Sequence, residues 1–314
     1  MLTPKPRGVL SGILFEALRT RPTSWDDVLT TEPDHDDDAR IALWALYELH
    51  YGGFDDVDDA LEWQPEALQA RRALEQDFEA RLRERYVGPE VTTPFAEAFF
   101  DYVAGHDGRS LASFVQRTAD VEQVLELLSM RTIYHLKESD PSAWLVPRLS
   151  VRPQAALMEL QYDEYGTGNP NRLHAHLFAR GVEACGLRSG YGAYIDDVPG
   201  EVLDQNNAMS LFGLHRRWRG AALGHLAAFE ATSSLPSRRM SQGLARLGLP
   251  QEIIDYYDEH VAADAVHEQL AVRVVCGSLL EDEPDLVDDV FFGAFTCLDL
   301  EHRFAGAVLT ARDA

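Results

Sequence analysis

The sequence predicts an all-α protein, and three observations carry that prediction. Apolar residues recur at three- and four-residue spacing, strand-like alternation between turn pairs is almost absent, and clusters of Pro, Gly, Asp and Thr divide the periodic stretches. Hydrophobic residues make up 46% of the 314, enough to bury a sizeable core. After the interruptions at Pro4, Pro6 and Gly8, a first helix is expected from Leu10 to Arg21. The acidic run Asp34 to Asp38 reads as a solvated connection to a helix from Ala39 to Tyr51, and Asp55 to Asp59 as another before a helix from Gln64 to Tyr86. Gly88, Pro89 and the stretch Val91 to Pro94 mark a boundary, with residues 1–93 as an N-terminal helical extension and 94–314 as a larger helical bundle.

The bundle's helices are expected at Pro94 to Ala104, Ser110 to Leu136, Pro153 to Tyr165, Pro170 to Cys185, Pro199 to Thr232, Ser237 to Leu247, Gln251 to Gly277 and Asp285 to Leu309. Gly166 and Gly168 end one helix, and Asn169 as cap with Pro170 as first helical residue starts the next. The longest is expected to break around Asn206 and Asn207. The acidic stretch Glu281 to Asp289 reads as a further solvated connection.

Against 28 Lys and Arg stand 52 Asp and Glu, a formal charge of −24 that repels phosphate backbones and anionic membranes, which argues against nucleic acid or membrane as partner. Cys185, Cys276 and Cys297 are scattered without CxxC spacing, and their odd number fits a reducing cytoplasm better than a disulfide framework. The first residues show no signal-peptide pattern, and no run of about 18 apolar residues is present to span a membrane.

The most specific chemical signal lies between Tyr256 and His267, where His260, Asp264 and His267 stand at i, i+4 and i+7. At about 100° per residue these side chains share one helix face within roughly 60°. One helix thus presents two imidazoles and a carboxylate to a single point, a mixture that suits iron better than a thiolate-rich structural zinc site. Read without a metal, the three are polar residues on a wet face. Glu164 and His174 flank the Gly166–Gly168 break and can approach one centre from different directions, although a carboxylate at a helix end and a partly buried His are each common alone. Glu230 follows the small, apolar stretch Gly224 to Phe229, where a carboxylate is costly unless paired or metal-bound. Glu138 closes a helical stretch just before Ser139 and Pro141. Together, Glu138, Glu164, His174, Glu230, His260, Asp264 and His267 supply four carboxylates and three imidazoles, the ligand set of a two-iron carboxylate site in a helical bundle. The repeated Glu-x-x-His pairs of ferritin-like bundles are absent.

At these residues the sequence resembles the haem-oxygenase-like di-iron oxidases, the iron-containing redox enzyme family. Four segments carry the resemblance: YHLKESDPSAW from Tyr134, MELQYDEYGTGNPNRLHAHLF from Met158, LHRRWRGAALGHLAAFEATSS from Leu214 and YYDEHVAADAVHEQLA from Tyr256. The family's ligand order is a Glu, a Glu and His ten residues apart, a Glu, and a His-x3-Asp-x2-His helix; Glu138, Glu164, His174, Glu230, His260, Asp264 and His267 fill it in turn. The resemblance implies a haem-oxygenase-like seven-helix bundle that holds two irons without haem. It also implies O2 as co-substrate and a small amino-acid- or fatty-acid-like substrate, with Glu164 and Asp264 as the expected bridges. The first 95 or so residues match poorly and read as an accessory layer or a homodimer surface.

Arg172, Arg216, Arg217, Arg219, Arg238 and Arg239 are the basic concentration near the ligand-bearing segments, and Arg219, in phase with Glu230, is the residue chosen to meet a substrate carboxylate. Two other readings compete. One is a haem-degrading or thiaminase-like enzyme on the same scaffold, disfavoured by the clustered carboxylates and by cysteines without an evident activating base. The other is a non-catalytic, metal-binding interaction protein.

Overall fold

The computed structural model describes residues 1–106 and 108–313, with 262–265 and 311–313 described by their backbone alone. The described residues form helices and turns, with no strand among them. An N-terminal layer consists of α1 (Val9–Thr20), α2 (Asp26–Thr30), α3 (Asp36–Glu48) and α4 (Pro65–Arg85). The bundle follows as α5 (Phe95–Ala104), α6 (Leu111–Arg117), α7 (Val121–His135), the short α8 (Asp140–Ala143), α9 (Val151–Glu164), α10 (His174–Ala184) and α11 (Gly200–Leu214). It closes with α12 (Arg219–Arg246), α13 (Gln251–Gln269), a run of wide π turns at Leu270–Cys276, α14 (Gly277–Asp282) and α15 (Val287–Asp313). No helix of the described residues is long and apolar enough to cross a membrane.

Three of the differences from expectation have a local reason in the bundle. Ser110 to Leu136 is two helices, because Asp120 and Gln123 form a reciprocal capping box, with bonds of 2.9 and 3.1 Å, that starts α7 afresh. The expected break at Asn206 and Asn207 does not occur. Both side chains are buried inside α11 and donate to carbonyls, Asn206 to Val202 at 3.3 Å and Asn207 to Arg40 at 3.0 Å, so they support the helix they were expected to interrupt. The chain breaks instead after Leu214, where the turn through Trp218 leads into α12. α12 then runs through Pro236, which leaves the Thr232 carbonyl without its helical donor. The helix continues because Ser237, Met240, Ser241 and Leu244 beyond the proline are buried against the bundle.

The N-terminal layer is tied to the bundle by charge and by shared core. Arg40 of α3 holds Asp204 of α11 at 3.0 Å. One apolar cluster joins Leu14 and Phe15 of α1, Trp44 of α3, Phe178 of α10, Tyr256 of α13 and Phe304 of α15. At the centre, α12 and α15 cross at backbone contact: a Cβ on Gly224 would lie 1.9 Å from the Val290 carbonyl, and one on Gly293 would lie 1.8 Å from that of Ala221. Only glycine fits at that crossing.

Candidate metal centre

The ligand candidates reach one place from five elements of the fold. Glu138 stands in the turn after α7, Glu164 is the last residue of α9, His174 the first of α10, Glu230 lies within α12, and His260 and His267 share α13. Gly166, Thr167 and Gly168 all take positive φ, which reverses the chain between Glu164 and His174; a Cβ on Gly166 would also lie 2.5 Å from the Leu173 nitrogen. Asn169 accepts from the Asn171 amide at 3.1 Å as the expected cap. It starts only the single turn Pro170–Arg172, and α10 proper begins at His174 because Leu173 is extended.

Two groups of three result, each with its donor atoms within 4.8 Å of one another: Glu138, His174 and His260, and Glu164, Glu230 and His267. Glu164 joins them, with Oε2 3.1 Å from His174 Nδ1 and Oε1 3.6 Å from His267 Nδ1. The side chain of Asp264 lies outside the described residues. Arg219 opens α12 and is held bidentately by Glu283; it is not among the residues lining the cavity at these groups. Arg172 and Arg217 likewise pair with Glu259 and Glu79.

The surroundings fix which ring nitrogens face inward. His260 Nδ1 donates to the Tyr256 carbonyl at 2.8 Å and His267 Nε2 donates to Asp163 at 2.9 Å, so each ring turns its other nitrogen toward the group. Ser139 donates to Glu164 at 3.0 Å, and His135 Nδ1 lies 2.8 Å from Glu138 Oε2 and 3.1 Å from the Tyr256 hydroxyl. These four supporting residues escaped the sequence reading. His135 three residues before Glu138 and Asp163 beside Glu164 were the available signals. Glu138 Oε1, His174 Nδ1 and His267 Nδ1 are buried and make no hydrogen bond, as expected of donors arranged for an ion. The set of carboxylates and imidazoles, without thiolate, fits iron.

Electrostatics agree. Burial alone would raise the Glu138 carboxyl, but contact with His135 and His260 brings it below its usual range. Burial would lower His267, yet the Glu230 carboxylate beside it, with Glu164 and Asp163, raises it to about 9. The ring therefore carries a second proton at pH 7, which an ion bound at Nδ1 would have to displace. In that group, Mn(II) affinity followed by electron paramagnetic resonance should rise up to about tenfold per pH unit from pH 6.5 to 9 and level off above. His267→Ala should remove one proton from the slope. The sign for folding is opposite: because the folded pKa lies above the ordinary 6.5, His267 stabilises the metal-free fold fully below pH 6.5 and loses that contribution as pH rises through about 9.

One cavity adjoins the groups, and a second adjoins the first. The first, of about 40 Å³, touches Glu138, Glu164, Glu230 and His260 and is walled by apolar side chains such as Leu145, Leu160 and Met209; its lining contains no Lys or Arg. The other, of about 330 Å³, lies between α7, α12 and α15 and shares Tyr134, His225 and Phe229 with the first. Tyr134 and Phe229 are stacked there with centroids 5.4 Å apart. Burial lowers His225 to about 4, so that shared wall is uncharged at neutral pH. The cysteines offer no nucleophile: burial raises Cys185 to about 11 and lifts Cys276 and Cys297 further.

No curated protein matches the chain. A family model described as iron-containing redox enzyme matches residues 125–302, a span that holds every ligand candidate from Glu138 to His267. Since that span is more than half of the chain and the helices agree with it, this protein belongs to the iron-containing redox enzyme family, with its haem-oxygenase-like all-α fold.

Proposed function

We propose that the chain is a non-haem di-iron oxidase or oxygenase that activates O2 and acts on a small amino-acid- or fatty-acid-like substrate. The observation that carries this reading is the division of the buried donors into two groups joined by Glu164. Glu138, His174 and His260 would hold one ion and Glu164, Glu230 and His267 the other, with Asp264 as the seventh ligand. Two Fe(II) ions held by these residues would supply the electrons for the reduction of dioxygen. The chain's own part is to orient and to exclude water. Tyr256 and Asp163 fix the imidazole tautomers, Ser139 and His135 aim the carboxylates, and the apolar walls keep solvent from the reacting end.

At about 40 Å³ the nearer cavity accommodates a few water-sized molecules, not a substrate body or a porphyrin. The 330 Å³ chamber has the volume of a small-ligand pocket, so it would take the substrate's body, with Tyr134 and Phe229 between that body and the ligand groups. Arg219, committed to Glu283, takes no part in this arrangement.

The test is an anaerobic Fe(II) titration of metal-free protein followed by exposure to O2. Two ions per chain and iron-dependent O2 uptake are expected, with His260→Ala and His267→Ala each weakening one ion. No uptake of iron, or one ion without O2 consumption, would end the di-iron reading.

A further inference from the structure

A charge pair buried beside the ligand groups has no part in the chemistry so far. Lys137 and Glu48 are 4% and 0% exposed, and the Lys137 ammonium meets Glu48 Oε1 directly. The Tyr191 hydroxyl donates to the same oxygen at 2.9 Å, and Lys137 Nζ lies 3.6 Å from the centroid of the Tyr51 ring. Two charges taken out of water lose much of their hydration, and apolar side chains of similar volume commonly give a fold as stable or more so. Stability is therefore a weak explanation for this pair.

Its place in the chain supplies a stronger one. Lys137 directly precedes Glu138 in the turn that joins α7 to α8, a stretch pinned residue by residue. His135 bonds Glu138 itself, Ser139 donates to Glu164, and Asp140 accepts from the Tyr165 hydroxyl at 2.6 Å. Those anchors lie within the bundle. Lys137 reaches out of it, because Glu48 is the last residue of α3 and Tyr51 follows, both outside the family-matched span 125–302. The backbone of this turn bonds only to near neighbours, Lys137 N to the Tyr134 carbonyl at 3.0 Å and Asp140 N to that of Lys137 at 3.1 Å, so its place against α3 rests on the Lys137 side chain.

We propose that Glu48, acting through Lys137, is a positioning residue for Glu138, so that the N-terminal layer sets where one ion's carboxylate stands. This rests on the reading that Glu138 ligates an ion. Loss of a partner that orients a ligand typically weakens metal affinity 10–100-fold, and here the loss falls on one ion of the two.

The test uses the full chain and Mn(II) or Fe(II) added anaerobically, with metal affinity as the readout. Glu138→Gln first identifies which of the two binding steps belongs to the Glu138, His174 and His260 group. The double variant Glu48→Met with Lys137→Met removes both charges and keeps the site packed, and its fold is checked by circular dichroism and Tm. A folded double variant should bind the ion of that step at least about tenfold more weakly and leave the other within about twofold. Unchanged affinity in both steps would overturn the proposal, as would equal weakening of both. Should the double variant not fold, Tyr191→Phe, which removes one bond to Glu48, should weaken the same step alone; no change there overturns the proposal. Wild-type protein that binds no ion refutes the functional reading, and this inference with it. A wild type that binds two ions and a double variant that binds them equally well refutes only the inference.

Discussion

Glu164→Ala is expected to strip both ions from the protein at once. Its carboxylate oxygens approach His174 in one group and His267 in the other, at 3.1 and 3.6 Å, and Ser139 holds it in that attitude. Glu230 stands in one group only. Its oxygen lies 3.5 Å from His267 Nδ1, so Glu230→Ala should cost one ion and leave the Glu138 group loaded. For Glu164→Ala both affinities should fall by at least about 100-fold, since even residues that merely orient ligands are worth 10–100-fold. Metal content after anaerobic loading, with circular dichroism to confirm the helices, decides the matter. Retention of either ion at wild-type affinity would show that Glu164 does not join the two groups.

The second large effect is on the fold itself. Gly293→Ala would drive a methyl to 1.8 Å from the Ala221 carbonyl, and Gly224→Ala one to 1.9 Å from that of Val290. The obstacle in each case is backbone, which cannot swing aside as a side chain can. Either substitution should destabilise the metal-free protein by about 3 kcal/mol or more, with Tm lower by about 5 °C or more. Gly306 lies on the same α15 with open space around its would-be Cβ. There Ala should leave the protein unchanged or raise its stability by up to about 1 kcal/mol, because Ala is the better helix former. Metal-free protein is the right sample, since bound ions would add stability by mass action and mask the difference. Equal Tm for Gly293→Ala and wild type would mean that α12 and α15 are not in backbone contact.

Much of this was legible in the sequence because helical periodicity and capping are local. The Gly166–Gly168 reversal, the Asn169 cap and the single face of His260 and His267 all follow from spacing along the chain. What the sequence hid is set by distant partners. Asn207 supports α11 only because the Arg40 carbonyl from the N-terminal layer is there to accept from it. Arg219 shares a helix face with Glu230, yet Glu283, 64 residues on, claims its guanidinium. The division of the donors into two threes, with Glu164 between them, depends on how α7, α9, α12 and α13 meet, and no spacing encodes that. Lys137 was in view within the segment that carries Glu138, but Glu48 lies 89 residues away.

The π turns after α13 tie the ligand face to the core in a way that concerns angle rather than distance. His267, Ala271, Val275 and Leu279 stand four apart and all are buried. In a regular α-helix each step of four overshoots a full turn by about 40°, so Leu279 would end roughly 120° around the axis from His267. The wider turns at Leu270–Cys276 rotate less per residue and take back part of that drift, keeping the four close to one azimuth. Val275 and Leu279 belong to the apolar seam shared with Leu157 and Leu160 of α9. The angular setting of the His267 imidazole is thus phase-locked to that seam, and any rotation of that helix face about its axis must drag the seam with it.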